Sequence, residues 1–149
     1  MSSETIIAEI GVDMSQFPSH AHLSSWAGVS PENHESAGKR HSGRTNPGNK
    51  WLKSSLTESA WGAFRTKGTY LQARYHRLAS RRGKKRATLA LAHTLLIMAY
   101  HIVKGQCTYT ELGADYFDRL NEQYLIKRFT SRIETLGYHV TLRRESLHA

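Results

Sequence analysis

The segment from Lys84 to Lys104, KKRATLALAHTLLIMAYHIVK, is apolar nearly all round once past its basic start. A helix without a polar stripe has to be enclosed by other elements. At ~1.5 Å per residue it would reach about 30 Å, the width of a small domain, and it is expected to be the central helix. The apolar run within it, Ala87 to Val103, is interrupted by Thr88, His93, Thr94 and His101. It is short for a membrane span, and no membrane partner is expected. His93, Tyr100 and His101 read as hydrogen-bonded core or boundary residues, not ligands.

The remaining segments supply what would surround that helix. Residues 3 to 10 place Ile6, Ile7 and Ile10 at helical spacing before Gly11. Pro18 opens a second helix through Leu23 and Trp26 to Gly28, with Phe17, Leu23 and Trp26 as expected core. Asn49 starts a helix through Trp51, Leu52, Leu56, Ala60, Trp61 and Phe64. Thr69 to Arg82 carries Leu71, Tyr75 and Leu78 on one stripe and Tyr70, Arg74, Arg77 and Arg81 on another. Near the end, Asn121 to Leu136 is amphipathic, with Tyr124, Leu125, Phe129, Ile133 and Leu136 on its apolar side. Tyr138 to Leu142 alternate like a short strand. The fold class is mainly α: a compact helical domain with a long basic glycine-rich loop and a short C-terminal strand segment.

That loop, Ser30 to Gly48, holds Pro31, Gly38, Gly43, Pro47 and Gly48, which leaves no room for an interior helix. Structureless loops of nineteen residues are uncommon in compact domains unless they are functional or disordered. It also opens the basic part of the chain. Residues 36 to 110 carry fifteen Lys and Arg against the single acid Glu58, whereas residues 1 to 35 carry five acids and no Lys or Arg. A concentrated cationic excess favours a polyanion through counterion release. Glycines interleaved with Lys and Arg allow a phosphate backbone to approach closely. The start of the Asn49 helix, just after the loop, is expected to add an anion site from its free N–H groups and dipole. The stripe Arg74, Arg77, Arg81 suits phosphates or solvent equally, and the adjoining run Arg81, Arg82, Lys84, Lys85, Arg86 tilts it towards contact.

Other chemistry is thinly supported. Cys107 is the single cysteine, which excludes an internal disulfide and a multi-thiolate zinc cage and fits a reducing cytoplasm. The N-terminus lacks the features of a secretory signal. His20 and His22 sit two apart, so a helix turns them to different faces, and they read as surface residues rather than a metal pair. Asp115 and Asp118 lack a third carboxylate nearby and read as turn or cap residues. A hydroxyl in a basic, glycine-rich loop can serve as a nucleophile for phosphoryl transfer, which makes Ser36 and Ser42 the candidates.

The run GVSPENHESAGKRHSGRTNPGNKWLK, with RTKGTYL, RRGKKRA and LGADYFDR downstream, resembles the C-terminal half of the transposases of insertion sequence family one-ten, also grouped as one-sixteen and nine-oh-two. The resemblance covers nearly all of the chain. It implies a catalytic serine in the glycine-containing loop after an Ala-Gly-(Val/Leu)-x-Pro turn, a position that falls on Ser36 and not on Ser42. It also implies basic loop residues, here Lys39, Arg40, Arg44 and Lys50. With them, Lys53, Arg74, Arg77, Arg81, Arg82, Lys84, Lys85 and Arg86 complete the expected nucleic-acid surface. Asn46 and Pro47 stand where the resemblance places basic residues.

The family pairs this domain with an N-terminal DEDD domain that binds Mg²⁺, and works under the guidance of a structured RNA. The resemblance therefore implies a single C-terminal transposase domain over 1–149, truncated at its N-terminus: a remnant of a helix-hairpin-helix over 1–12, a helical core with the basic loop over 13–105, and a helix and strand over 106–149. No cofactor is expected in the chain itself, and Mg²⁺ is expected with a DEDD domain supplied in trans. The expected function is that of a DNA-binding, serine-carrying transposase domain, incomplete alone. The alternative is a non-catalytic fragment that binds DNA or guide RNA or inhibits full-length transposase. Expected partners are DNA, a structured guide RNA, and full-length transposase or further copies of the chain, in the cytoplasm.

Overall fold

A computed structural model of the chain describes residues 3–30, 34–36, 38–42, 45–105 and 107–144. Among them are seven α-helices: α1 (Ser3–Ile10), α2 (His20–Trp26), α3 (Lys50–Arg65), α4 (Tyr70–Arg82), α5 (Lys84–Gly105), α6 (Tyr116–Leu120) and α7 (Glu122–Thr135). A 3-10 turn at Met14–Gln16 joins α1 to α2, and two short strands, β1 (His34–Ser36) and β2 (Lys39–Ser42), lie between α2 and α3. The mainly helical class read from periodicity is the observed one. The chain divides into two units, Met1–Ala114 and Asp115–Ala149.

In the first unit α5 is the axis. Its Ala87, Leu91, Ala92, Leu96 and Tyr100 are buried, and α2, α3 and α4 all pack on it. By length and hydropathy α5 could cross a membrane; here one side of it is buried by the neighbouring helices, while Leu89, Leu95 and Val103 are only partly covered. Leu52, Leu56 and Ala60 recur at helical spacing and bury the inner stripe of α3. Tyr75 does the same for α4. Tyr100 is buried with its hydroxyl satisfied: it donates to the Phe17 carbonyl at 3.1 Å and accepts from Lys104 Nζ at 2.8 Å. This bond fixes the chain entering α2 against the far end of α5.

Trp26 departs from the expected core. It is exposed on α2 with its ring 5.6 Å from Phe17, because Leu23 and Ala27 occupy the buried side of that short helix. After α5, the segment to Ala114 stays with the first unit through Glu111. Its carboxylate accepts from the Tyr70 backbone N–H at 2.7 Å and from the Gly113 N–H at 3.1 Å. The Tyr70 N–H above all, together with the Tyr109 hydroxyl and the Gly113 N–H, holds the Glu111 carboxyl below the ordinary range. Tyr109, desolvated and donating to Glu111, is pushed up to about 12. The boundary between the two units falls after Ala114.

The second unit has no buried residue among those described. Asp115 stands at the N-cap position of α6 and its carboxylate pairs with Arg119 Nε at 3.0 Å. The apolar side of α7 is exposed at Tyr124, Phe129 and Ile133, and Leu136 just beyond it is exposed as well. Tyr138 to Leu142 do not form the expected strand. A strand is defined by its partner, and no described segment pairs with this one.

The long loop is the largest departure. Polar composition concealed a hairpin: β1 and β2 pair antiparallel, with His34 opposite Ser42, Glu35 opposite Arg40 and Ser36 opposite Lys39. The register shifts between His34 and Glu35, where β2 has one residue more than β1. The two-residue connection contains Gly38 at φ 73°, in keeping with tight hairpin turns.

The loop is closed at its base by two glycines. Gly28 and Gly48 have φ of 70° and 52°, in the left-handed region that only glycine enters cheaply. Their backbones also touch. A Cβ on Gly28 would lie 2.7 Å from the Asn46 carbonyl oxygen and 2.9 Å from the Gly48 Cα, and one on Gly48 would strike the Gly28 backbone. Beside them the Asn49 N–H donates to the Trp26 carbonyl at 3.1 Å. The end of α2 is thus bound to the start of α3, which closes the base of the loop. Replacing Gly48 with alanine combines a strained φ with a backbone clash and is expected to lower stability by about 2–4 kcal/mol. Gly62→Ala, in α3 with open space around it, is expected to raise stability by up to about 1 kcal/mol. Chemical denaturation of both variants measures the contrast.

Candidate nucleic-acid interface

Asn49 is the joint between the loop and the helical core. Its Oδ1 accepts from the N–H groups of Trp51 and Leu52, both at 3.0 Å. Its Nδ2 donates to Glu9 Oε2 on α1 at 2.8 Å. One side chain therefore caps α3 and clamps α1 to it. The anion site expected at this helix start is correspondingly reduced, because two of its N–H groups already have an acceptor.

Lys53, on the first turns of α3, points back to the loop. Its Nζ donates to Thr45 Oγ1 at 2.7 Å and lies 3.5 Å from the Asn46 carbonyl oxygen. Lys50 is exposed, with Nζ 5.2 Å from the centroid of the Trp51 ring. The hairpin brings Lys39 opposite Ser36 and Arg40 opposite Glu35. Arg44 lies outside the described residues. Two cationic residues of α3, Lys50 and Lys53, thus adjoin the base of the loop that carries Ser36, Lys39 and Arg40.

The basic stripe of α4 divides. Arg74 is half-buried: its Nε donates to Thr94 Oγ1 on α5 at 3.0 Å and its Nη1 to the Tyr70 hydroxyl at 3.1 Å. Two of its donors therefore serve the packing of α4 on α5. Arg77 and Arg81 are exposed. Beyond them the chain turns at Gly83, and Arg81, Arg82, Lys84, Lys85 and Arg86 stand exposed around that corner. None of these five enters an ion pair among the described residues. Exposed cations clustered at a turn suit phosphate oxygens.

The family model described as Transposase IS116/IS110/IS902 family matches residues 1–76, a span that contains α1, the glycine-closed loop, α3 and the first half of α4. The chain belongs to the IS116/IS110/IS902 transposase family. Neither the curated proteins nor the solved structures give a match to it.

In this transposase the corner of α4 and α5 lies beyond the matched residues, while Ser36, Lys39, Arg40, Lys50 and Lys53 lie within them. Trp51 and Trp61 of α3 are 68% and 49% exposed, because at 100° per residue both fall off the stripe of Leu52, Leu56 and Ala60. Histidines contribute packing. His20 lies 5.4 Å from the ring of His101 and 6.2 Å from that of Tyr100. His93, half-buried on α5, has its pKa lowered first by burial and then by His20 and Arg74. Among the described residues no three His, Cys, Asp or Glu side chains are placed to hold a metal ion.

Replacing Asn49 with alanine removes the cap of α3 and the tie to Glu9 together. An expected loss of about 1–2 kcal/mol in unfolding free energy, the upper part of the range for an N-cap, is checked by urea denaturation.

Proposed function

We propose that this chain grips nucleic acid through the loop, the start of α3 and the α4–α5 corner, and that Ser36 is the nucleophile of strand transfer. A transposase acts on DNA, and the exposed cations named above are the groups that would meet its phosphates. The observation that carries the reading is the closure of the loop: Gly28 and Gly48 bind it to the helical core, with Ser36 and Lys39 as cross-strand neighbours. A nucleophile has to be held against a phosphate and needs positive charge beside it. In such a step the serine Oγ bonds to phosphorus as the bond to the leaving strand's oxygen breaks. The serine proton passes to solvent, and the leaving oxygen takes up a proton.

The Mg²⁺ implied by a DEDD-type family finds no ligand set among the described residues, so its acids would have to be supplied from elsewhere. That observation favours a second reading, a binding module without chemistry of its own, which could also act on full-length transposase through mixed oligomers. A gel-shift titration against salt, with and without a full-length transposase of the family, separates the readings. For ~6 neutralised phosphates log K falls with log salt at a slope of about −5, and binding indifferent to salt overturns the interface. A protein–DNA adduct that resists denaturation and vanishes in Ser36→Ala supports the nucleophile. An adduct that persists in Ser36→Ala excludes Ser36, and salt-dependent binding with no adduct in either protein supports the binding module.

A further inference from the structure

The outward face of α3 is not that of an ordinary solvated helix. Trp51 and Trp61 stand exposed on it, and each has a cation at its ring: Lys50 Nζ is 5.2 Å from the Trp51 centroid and the Arg65 guanidinium 5.5 Å from that of Trp61. An open cleft of about 400 Å³ crosses the same face, lined in the main by Pro47, Lys50, Lys53, Thr57, Glu58 and Trp61.

Trp61 is fixed from behind. Its ring packs at 5.6 Å on Phe64, and Phe64 stacks on Tyr75 with centroids 4.0 Å apart and planes 7° from parallel. Tyr75 belongs to the core. The exposed indole is therefore the outer end of an aromatic ladder rooted in the fold, and covering it costs little conformational freedom. Lys53 is likewise held, by Thr45 and Asn46 at the base of the loop.

A rigid aromatic face and two ammonium groups lining one cleft complement a short single strand: a base stacks on the ring and the strand's phosphates meet the cations. Bases in a duplex keep their faces within the stack, so the indole is accessible only to an unpaired one. Glu58, the single acid of residues 36 to 110, also lines the cleft. Its carboxylate repels phosphate but accepts a hydrogen bond from an exocyclic amino group such as that of cytosine. The lysines and Glu58 would thus orient the strand, its phosphates to one and the base edge to the other. We infer that α3 carries a stacking site for an unpaired nucleotide of a single strand, with Trp61 taking the base and Lys50 and Lys53 phosphates of the same strand. This rests on the nucleic-acid reading above and adds to it the strand form and the residues that read it.

The test uses the full chain and fluorescence anisotropy with short labelled oligo-dC, oligo-rC and a DNA duplex at one salt concentration. Trp61→Ala is expected to weaken binding of a single strand about tenfold, within the range for loss of one stacked base. Duplex affinity should change less than about twofold, and Trp61→Phe should recover most of the loss, because an aromatic face remains. Whichever of oligo-dC and oligo-rC shows the larger loss identifies the strand the site takes. Thermal unfolding of both variants checks that the fold is kept. Single-strand binding unchanged in Trp61→Ala, or weakened no more than duplex binding, overturns the stacking site while the nucleic-acid reading stands. Failure of the unsubstituted chain to bind any of the three probes overturns both.

Discussion

Backbone meets backbone at Gly28 and Gly48 with no side chain between them, and the geometry of the loop follows from that contact. The residues between the two glycines would otherwise be a long polar tether. Closing such a loop costs entropy that grows only slowly with its length, so a few bonds at the base suffice to hold it. Here the base consists of the glycine contact, the Asn49 to Trp26 backbone bond and the Lys53 to Thr45 bond. Each of these leads into α2 or α3, whose Leu23, Leu52 and Leu56 are fully buried. The base of the loop is thereby tied to the core.

The charge of the chain is arranged around the same core. Among the residues of its basic middle part whose exposure is described, every Lys and Arg but Lys53 and Arg74 is exposed, and Arg74, turned inward, meets the neutral oxygens of Thr94 and Tyr70 rather than an acid. Its charge is therefore not cancelled, and it adds to the positive field of the α4 and α5 surface. Glu111, an acid that binds at the start of α4, accepts from the Tyr70 backbone N–H at the helix end opposite Arg81 and Arg82. Acid at the N-terminus and base at the C-terminus both complement the helix dipole. The same placement keeps the carboxylate away from the cationic corner.

The sequence made some of this legible and hid the rest for identifiable reasons. An all-round apolar segment had to be the central helix, and α5 is. Asn49 and Thr69 announced the starts of α3 and α4, because short polar side chains accept from the first free N–H groups, as both do. The hairpin was not legible: strands of three and four polar residues carry no alternation, and their pairing is set by a turn and by closure at a distance. Trp26, expected in the core, stands exposed because Leu23 and Ala27 take the buried side there, so hydrophobicity alone did not place it. Tyr138 to Leu142 failed for the converse reason, since alternation alone does not supply a partner strand. At Ser36 the family resemblance contributed what spacing did not: loop serines are common, and only the surrounding motif singled this one out.

The loop is fastened to the core at its base. The Asn49 amide, which donates across that base to Trp26, reports on it directly through hydrogen exchange. Protection close to that of the Leu91 and Leu96 amides in α5 is the predicted result, because opening the base would then require opening the core. Exchange of the Asn49 amide as fast as that of an exposed loop, while α5 remains protected, would contradict the account.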